Sequence, residues 1–190
     1  MAKLYFHYST MNAGKSTLLL QASHNYRERG MATLLLTAAV DTRAGAGRIG
    51  SRIGIGAAAI PFTCETDLYA LISREGAGCA CIFVDEAQFL TPGQVWQLAH
   101  VADDLHIPVM AYGLRVDFRG ELFAGSAALL ALADDLREIR TICHCGRKAT
   151  MVVRRGDDGR AIREGAQIQI GGNETYDSLC RRHWRDEMGM

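Results

Sequence analysis

The chain has 190 residues, 48% of them hydrophobic, and carries 21 Lys and Arg against 21 Asp and Glu. That length supports one good core with a small appendage rather than two full domains, and the balanced charge lacks the excess that drives attachment to DNA, RNA or anionic lipid. The opening MAKLYFHYST is too short and too polar for a signal-peptide core or a membrane span, so cytoplasmic residence, reduced cysteines and neither a membrane nor a nucleic-acid partner are expected.

Residues 3–8 predict a first β-strand, followed by a small polar loop and a Leu-rich helix over 16–29 closed by Gly30. Residues 32–38, 79–84 and 107–112 are continuous apolar runs with the length of strands buried on both faces. Helices are predicted at 67–74 and 93–102, the second with Thr91 as N-cap and Pro92 at its first position. Residues 43–56 interleave Gly45, Gly47, Gly50, Gly54 and Gly56 with Arg43, Arg48 and Arg52, which predicts a mobile loop. A last helix is predicted around 125–133.

This alternation predicts an α/β fold, a mainly parallel sheet flanked by helices, over residues 1–138. From Ile139 the chain changes character, with cysteines, a hairpin predicted at Asp157-Asp158-Gly159 and short alternating strands on either side. Residues 139–190 are therefore expected to form a smaller second unit.

The run Ser9-Thr10-Met11-Asn12-Ala13-Gly14-Lys15-Ser16 matches G-x-x-x-x-G-K-[ST] at every defined position but the first, where Ser9 stands for Gly. Gly14 permits a tight turn, so that successive N–H groups and the helix N-terminus point at phosphate oxygens. Lys15 is then expected to neutralise β- and γ-phosphate charge, and the Ser16 hydroxyl to bind Mg2+. The motif follows the first strand and opens a helix, the context that its mechanism requires. The fold expected is accordingly of the P-loop NTPase type.

Such a site needs an acid at the end of a neighbouring buried strand. The apolar run of residues 81–84 ends in Asp85-Glu86. Asp85 fits the Mg2+ role, and Glu86, one residue on and pointing elsewhere, is a candidate acceptor for the proton of an attacking hydroxyl.

Cys143, Cys145, Cys180 and His183 form C-x-C and C-x-x-H with 34 residues between Cys145 and Cys180. Tetrahedral Zn2+ takes four such ligands, and closed four-ligand sites are structural. Cys79-Ala80-Cys81 has the same C-x-C spacing but leads into an apolar strand without a second half, so burial explains it better. His7, His24, His100 and His106 have no ligand partners in the sequence and are expected to be packed or solvent-facing.

The P-loop, DTR at 41–43, DEAQF at 85–89, YGLRVDFRGELF at 112–123, the cysteine cluster and IGGNETY at 170–176 occur in one order along the chain. On these motifs the chain resembles the zinc-containing thymidine kinases over essentially its whole length. The resemblance implies transfer of the γ-phosphate of ATP to the 5′-hydroxyl of thymidine, with Mg2+ and a structural Zn2+, in pyrimidine deoxynucleotide salvage and DNA precursor synthesis. A homotetramer under feedback inhibition by thymidine triphosphate is implied as well.

For individual residues, the resemblance implies Glu86 as general base, Asp41 and Arg43 near the phosphates and sugar, and Gln88 facing the nucleotide. Phe89 and Phe118, with Leu114 and Phe123 nearby, become apolar walls around thymine. Ile168, Gln169, Ile170 and Gly171 become part of a lasso-like loop in a zinc-ribbon-like unit, reading the base through its backbone, so that the side chains of Gln167 and Gln169 need not matter. Tyr176 closes the site. Family members often carry C-x-x-C where this chain has C-x-C around His144.

The residues alone leave other readings open. A P-loop ATPase or nucleotide switch would share Lys15, Ser16 and Asp85. A nucleic-acid-reading ribbon would draw on Arg147, Lys148, Arg154, Arg155, Arg181 and Arg182, balanced by Asp157, Asp158, Glu164 and Glu174. Ordinary core packing is an alternative for Phe89, Phe118 and Phe123. Preference for thymidine over deoxyuridine rests on one methyl group, worth about 1–3 kcal/mol in an apolar pocket.

Overall fold

The computed structural model describes residues 1–167 and 176–190. In chain order it begins with β1 (Leu4–Ser9), α1 (Lys15–Glu28), β2 (Thr33–Ala38), β3 (Arg48–Gly50), β4 (Gly56–Ala58), β5 (Ile60–Phe62) and α2 (Leu68–Glu75). There follow β6 (Cys81–Asp85), one 3-10 turn (Ala87–Phe89), α3 (Pro92–Asp104), β7 (Val109–Leu114), α4 (Ala124–Leu132) and β8 (Asp135–Glu138). Six of these strands form one sheet in the order β5-β2-β6-β7-β1-β8, with every neighbouring pair parallel. This is the mainly parallel, helix-flanked sheet that the apolar runs predict.

The run CIFVD of β6 is buried at all five positions because both faces of the sheet are covered. On one side Leu36, Ile82 and Val84 join Leu68, Ile72, Leu98 and Leu129 of α2, α3 and α4. On the other, Leu35, Cys81 and Phe83 pack with Leu19 and Leu20 of α1. Each fully buried side chain of this size stabilises the fold by about 1.5–3 kcal/mol. Thr91 and Gln94 form a reciprocal capping box at the start of α3, satisfying two backbone donors that the helix cannot.

Residues 43–56 do not form the structureless loop their glycines suggest. β3 and β4 pair as an antiparallel hairpin, and Ile49 is buried against Leu19 and Leu20. One apolar side chain pins the hairpin to α1, and Thr17 and Ser51 join their hydroxyls at 2.5 Å.

The rest comprises β9 (Thr141–Ile142), β10 (Lys148–Ala149), β11 (Met151–Arg154), β12 (Tyr176–Leu179) and α5 (Arg181–Met188). Its small core gathers Cys143, Met151, Val153, Leu179, Trp184 and Met188 around Val116 from the first part. A turn does form at 157–159, with Gly159 at φ 75°. Beyond it, among the described residues, the ladder between the two arms is the single bridge Arg155–Ala161; the partner of β11 is β12. Among the described residues, no helix is long and apolar enough to cross a membrane.

Candidate active site

The loop between β1 and α1 turns through Asn12 at φ 60° and Gly14 at φ 80°. Lys15 is buried at the start of α1, and its ammonium donates to the Thr10 carbonyl at 2.7 Å. Burial lowers its proton affinity, against which the charges of Glu86 and Asp85 act. A cavity of about 530 Å³ lies over this loop, walled there by Met11, Asn12, Ala13, Gly14, Lys15 and Ser16. Ser9 and Thr10 are buried behind it. Ser9 is the last residue of β1, and its hydroxyl donates to the Ile139 carbonyl at 2.5 Å, so the residue standing where the motif has Gly ties the loop to the C-terminal segment.

Asp85 ends β6 beneath the loop, its side chain hydrogen-bonded with Ser16. Its Oδ1 is buried without a hydrogen-bond partner among the described residues. Burial, then the charge of Glu86, raises the carboxyl to about 7. A buried acid with an unspent oxygen beside a serine hydroxyl fits a divalent cation, and Ser16 and Asp85 suit Mg2+ by donor chemistry.

Glu86 leaves the sheet at φ 53° and ψ 39°, a left-handed conformation that costs a non-glycine residue on the order of 1 kcal/mol or more and is typical of functional sites. The turn throws its side chain into the cavity. Arg43 donates to Glu86 Oε1 at 2.6 Å and grips both oxygens of Asp41, at 2.7 and 2.9 Å. Burial works to raise the Asp41 carboxyl, but the hydrogen bonds and charge of Arg43 outweigh it and hold it below the ordinary value. Gln88 borders the cavity too, yet its amide is engaged with the protein: Nε2 donates to Glu86 Oε2 and Oε1 accepts from the Leu114 N–H at 3.0 Å.

The far end of the cavity is aromatic. Phe89, Leu114, Phe118, Phe123 and Tyr176 all line it, with Phe89 and Phe123 edge to face at 6.2 Å. Core packing and cavity wall are thus one role for these rings. The Arg154 guanidinium covers the Phe118 ring at 4.1 Å, and the Trp184 indole N–H donates to the Phe118 carbonyl at 3.0 Å. Ile168, Gln169, Ile170 and Gly171 lie outside the described residues.

Sequence reading missed part of the wall. Asp117 is buried and accepts from the Arg119 and Glu121 N–H groups at 2.8 and 2.9 Å, a local turn device legible in V-D-F-R-G. The Gln167 side chain, which backbone readout of the base does not require, lines the cavity and donates to Asp117 Oδ2 at 3.1 Å. Ser51, Arg52 and Ile53 reach the cavity from the β3–β4 hairpin, and only tertiary packing places them there.

Cys143, Cys145, Cys180 and His183 bring their ligand atoms within 4.8 Å of one another. The Cys145 and Cys180 sulfurs are 3.9 Å apart and Cys143 Sγ is 3.3 Å from His183 Nδ1. A tetrahedron with Zn–S of about 2.3 Å has S–S edges of roughly 3.8 Å, so the cluster fits zinc. The C-x-C spacing therefore brings Cys145 into the group, while His144 stacks on His183 with ring centroids 4.3 Å apart. Cys81 is buried, which pushes its thiol up to about 12, as an inert core cysteine should be. His7 stacks on Tyr112; His24 and His100 lie on helix surfaces beside Glu28 and Asp104.

Of the basic residues of the C-terminal part, Arg147, Arg181 and Arg182 are exposed, and the other three are engaged within the fold. Arg154 is buried, Arg155 pairs with Asp177 and Glu187, and Lys148 pairs with Glu138.

The chain is similar to known proteins over its whole length. The profile of the family described as thymidine kinase matches residues 2–184. The thymidine kinase of Ruegeria pomeroyi is 73% identical over 191 residues, covering 100% of this chain and 96% of its own. Those of Jannaschia sp. and Rhizobium meliloti are 71% and 68% identical, each with 98% of its length covered by 100% and 99% of this chain. With the motif loop, the paired acids and the zinc-type cluster in one molecule, and with relatives this similar end to end, the chain belongs to the thymidine kinase family.

Proposed function

We propose that this chain transfers the γ-phosphate of ATP to the 5′-hydroxyl of thymidine, giving thymidine monophosphate and ADP for DNA precursor synthesis. The observation that carries the reading is the Glu86 carboxylate, held between Arg43 and Gln88 where the phosphate-binding loop meets an aromatic chamber. Glu86 takes the proton of the attacking hydroxyl. Lys15 and the loop N–H groups hold the triphosphate, and Arg43, anchored on Asp41, stabilises charge on the transferred group. Mg2+ held by Ser16 and Asp85 would supply charge neutralisation on the β- and γ-oxygens.

Phe89, Leu114, Phe118 and Phe123 sandwich the base, Tyr176 closes over it, and the backbone at Ile168, Gln169, Ile170 and Gly171 reads its edge. Residues 1–138 form the nucleotide-binding domain and residues 139–190 the zinc- and substrate-binding one, with Cys143, Cys145, Cys180 and His183 holding a structural zinc. Residence in the cytoplasm, a homotetramer and feedback inhibition by thymidine triphosphate complete the reading.

Purified protein with ATP, Mg2+ and thymidine is expected to form the monophosphate and ADP in equal amounts. ATP hydrolysis that ignores thymidine would favour the ATPase alternative.

A further inference from the structure

Gln88 sits on the 3-10 turn two residues beyond Glu86 and is 3% exposed. Its Oε1 faces a backbone donor, the Leu114 N–H, so its NH2 must point the other way, where Glu86 Oε2 lies. The flip that leaves most amides ambiguous is excluded by that pairing.

The turn itself is wedged between two glycines. A Cβ on Gly113 of β7 would come within 2.9 Å of the Gln88 backbone nitrogen and 3.0 Å of its side-chain Oε1. A Cβ on Gly125 of α4 would meet the carbonyls of Leu90, Ala87 and Gln88 at 2.5, 2.8 and 2.9 Å. Ser126 fixes the same region of β7 by donating to the Leu114 carbonyl at 2.5 Å.

The two partners of the Glu86 carboxylate therefore differ in kind. Arg43 arrives on a side chain that is 37% exposed. Gln88 arrives from a clamped turn in the core. A carboxylate on a strained backbone has side-chain torsions to fix, and among the described residues Gln88 is the partner that ties it to β7.

We infer that Gln88 is the positioning residue for Glu86, transmitting the fixed backbone of β7 to the carboxylate that accepts the proton. The inference rests on the reading of Glu86 as the base. A misplacement of about 1 Å at a reacting group can cost up to 10²-fold in rate, which sets the scale of the expected effect.

The test is a double-mutant cycle in the full-length protein, with Glu86→Gln, Gln88→Met and the pair. Met fills the same space without either hydrogen bond. Gln88→Met is expected to lower kcat about 10- to 50-fold with KM for ATP and thymidine within about threefold. In the Glu86→Gln background it should add less than about threefold, since it acts only through that carboxylate.

Gln88→Asn, which keeps an amide too short to span both partners, serves if the Met variant folds poorly, and the same split is expected of it. Losses that multiply in the double variant, or a raised KM with unchanged kcat, would overturn the inference. Full turnover by Glu86→Gln alone would overturn the base assignment first, and this inference with it.

Discussion

The two ends of the cavity are built differently. The end proposed above to hold phosphate is floored by one contiguous stretch, residues 11–16, running from the loop after β1 into the start of α1 and backed by Asp85 on the next strand but one in the sheet. The aromatic end, proposed above to hold the nucleoside, is gathered from Phe89, Leu114, Phe118, Phe123, Val152 and Tyr176, which span almost half the chain. Its scaffold is held by single long-range contacts, such as Trp184 to the Phe118 carbonyl. Local geometry makes the first end; the second is assembled from both parts of the chain and braced by the C-terminal core through Trp184. Two serine hydroxyls connect them, Ser9 to the Ile139 carbonyl and Ser178 to the Met11 carbonyl at 2.5 and 2.6 Å.

The comparison can be broken most forcefully at the metal cluster. Cys180→Ser is expected to remove zinc and loosen the C-terminal core that holds Phe118, because binding free energy at such a site is folding free energy. Metal analysis and thermal melting check this, and full zinc occupancy in the variant would refute the ligand set. Thymidine affinity should collapse before ATP affinity does, which titration of each ligand would separate.

Phe118→Ala strikes only the nucleoside end. Loss of a buried ring beneath the Arg154 guanidinium is expected to raise KM for thymidine by about 10-fold or more, with KM for ATP within about threefold. Equal changes in the two would erase the distinction between the ends. Ser178→Ala, which cuts one of the two ties, should have a smaller effect, on the order of 1 kcal/mol in stability and a few-fold in KM for ATP, read by melting and steady-state kinetics.

The smallest effect concerns neither end. Burial, and then the charge of Arg137, lowers His7 from 6.5 to about 4, and its Nε2 is buried without a partner among the described residues. The unfolded chain therefore binds the proton more readily than the folded one. Stability is full above pH 6.5 and falls as pH drops from there toward 4. His7→Phe should flatten that part of a melting-temperature profile by a few degrees, and an unchanged slope would remove His7 as its source.

What was legible in the sequence follows the same division. The P-loop, β6 with its acid tip, and the cap at Thr91 are local patterns whose physics is complete within a dozen residues. The β3–β4 hairpin was hidden because five glycines and three arginines outweigh the one buried residue, Ile49, that fixes it. β8 escaped notice because D-L-R-E has the charge of an exposed edge strand. The engagement of Gln88 with Leu114 and of Gln167 with Asp117 depends on pairs 26 and 50 residues apart, for which a single sequence carries no signal.

The most direct test follows product formation by the wild-type chain and Glu86→Gln with saturating ATP, Mg2+ and thymidine. Thymidine monophosphate should appear in step with ADP, and the variant should make both about 10²-fold more slowly while binding both substrates as before. Undiminished turnover in the variant, or ADP released without the monophosphate, would contradict the account.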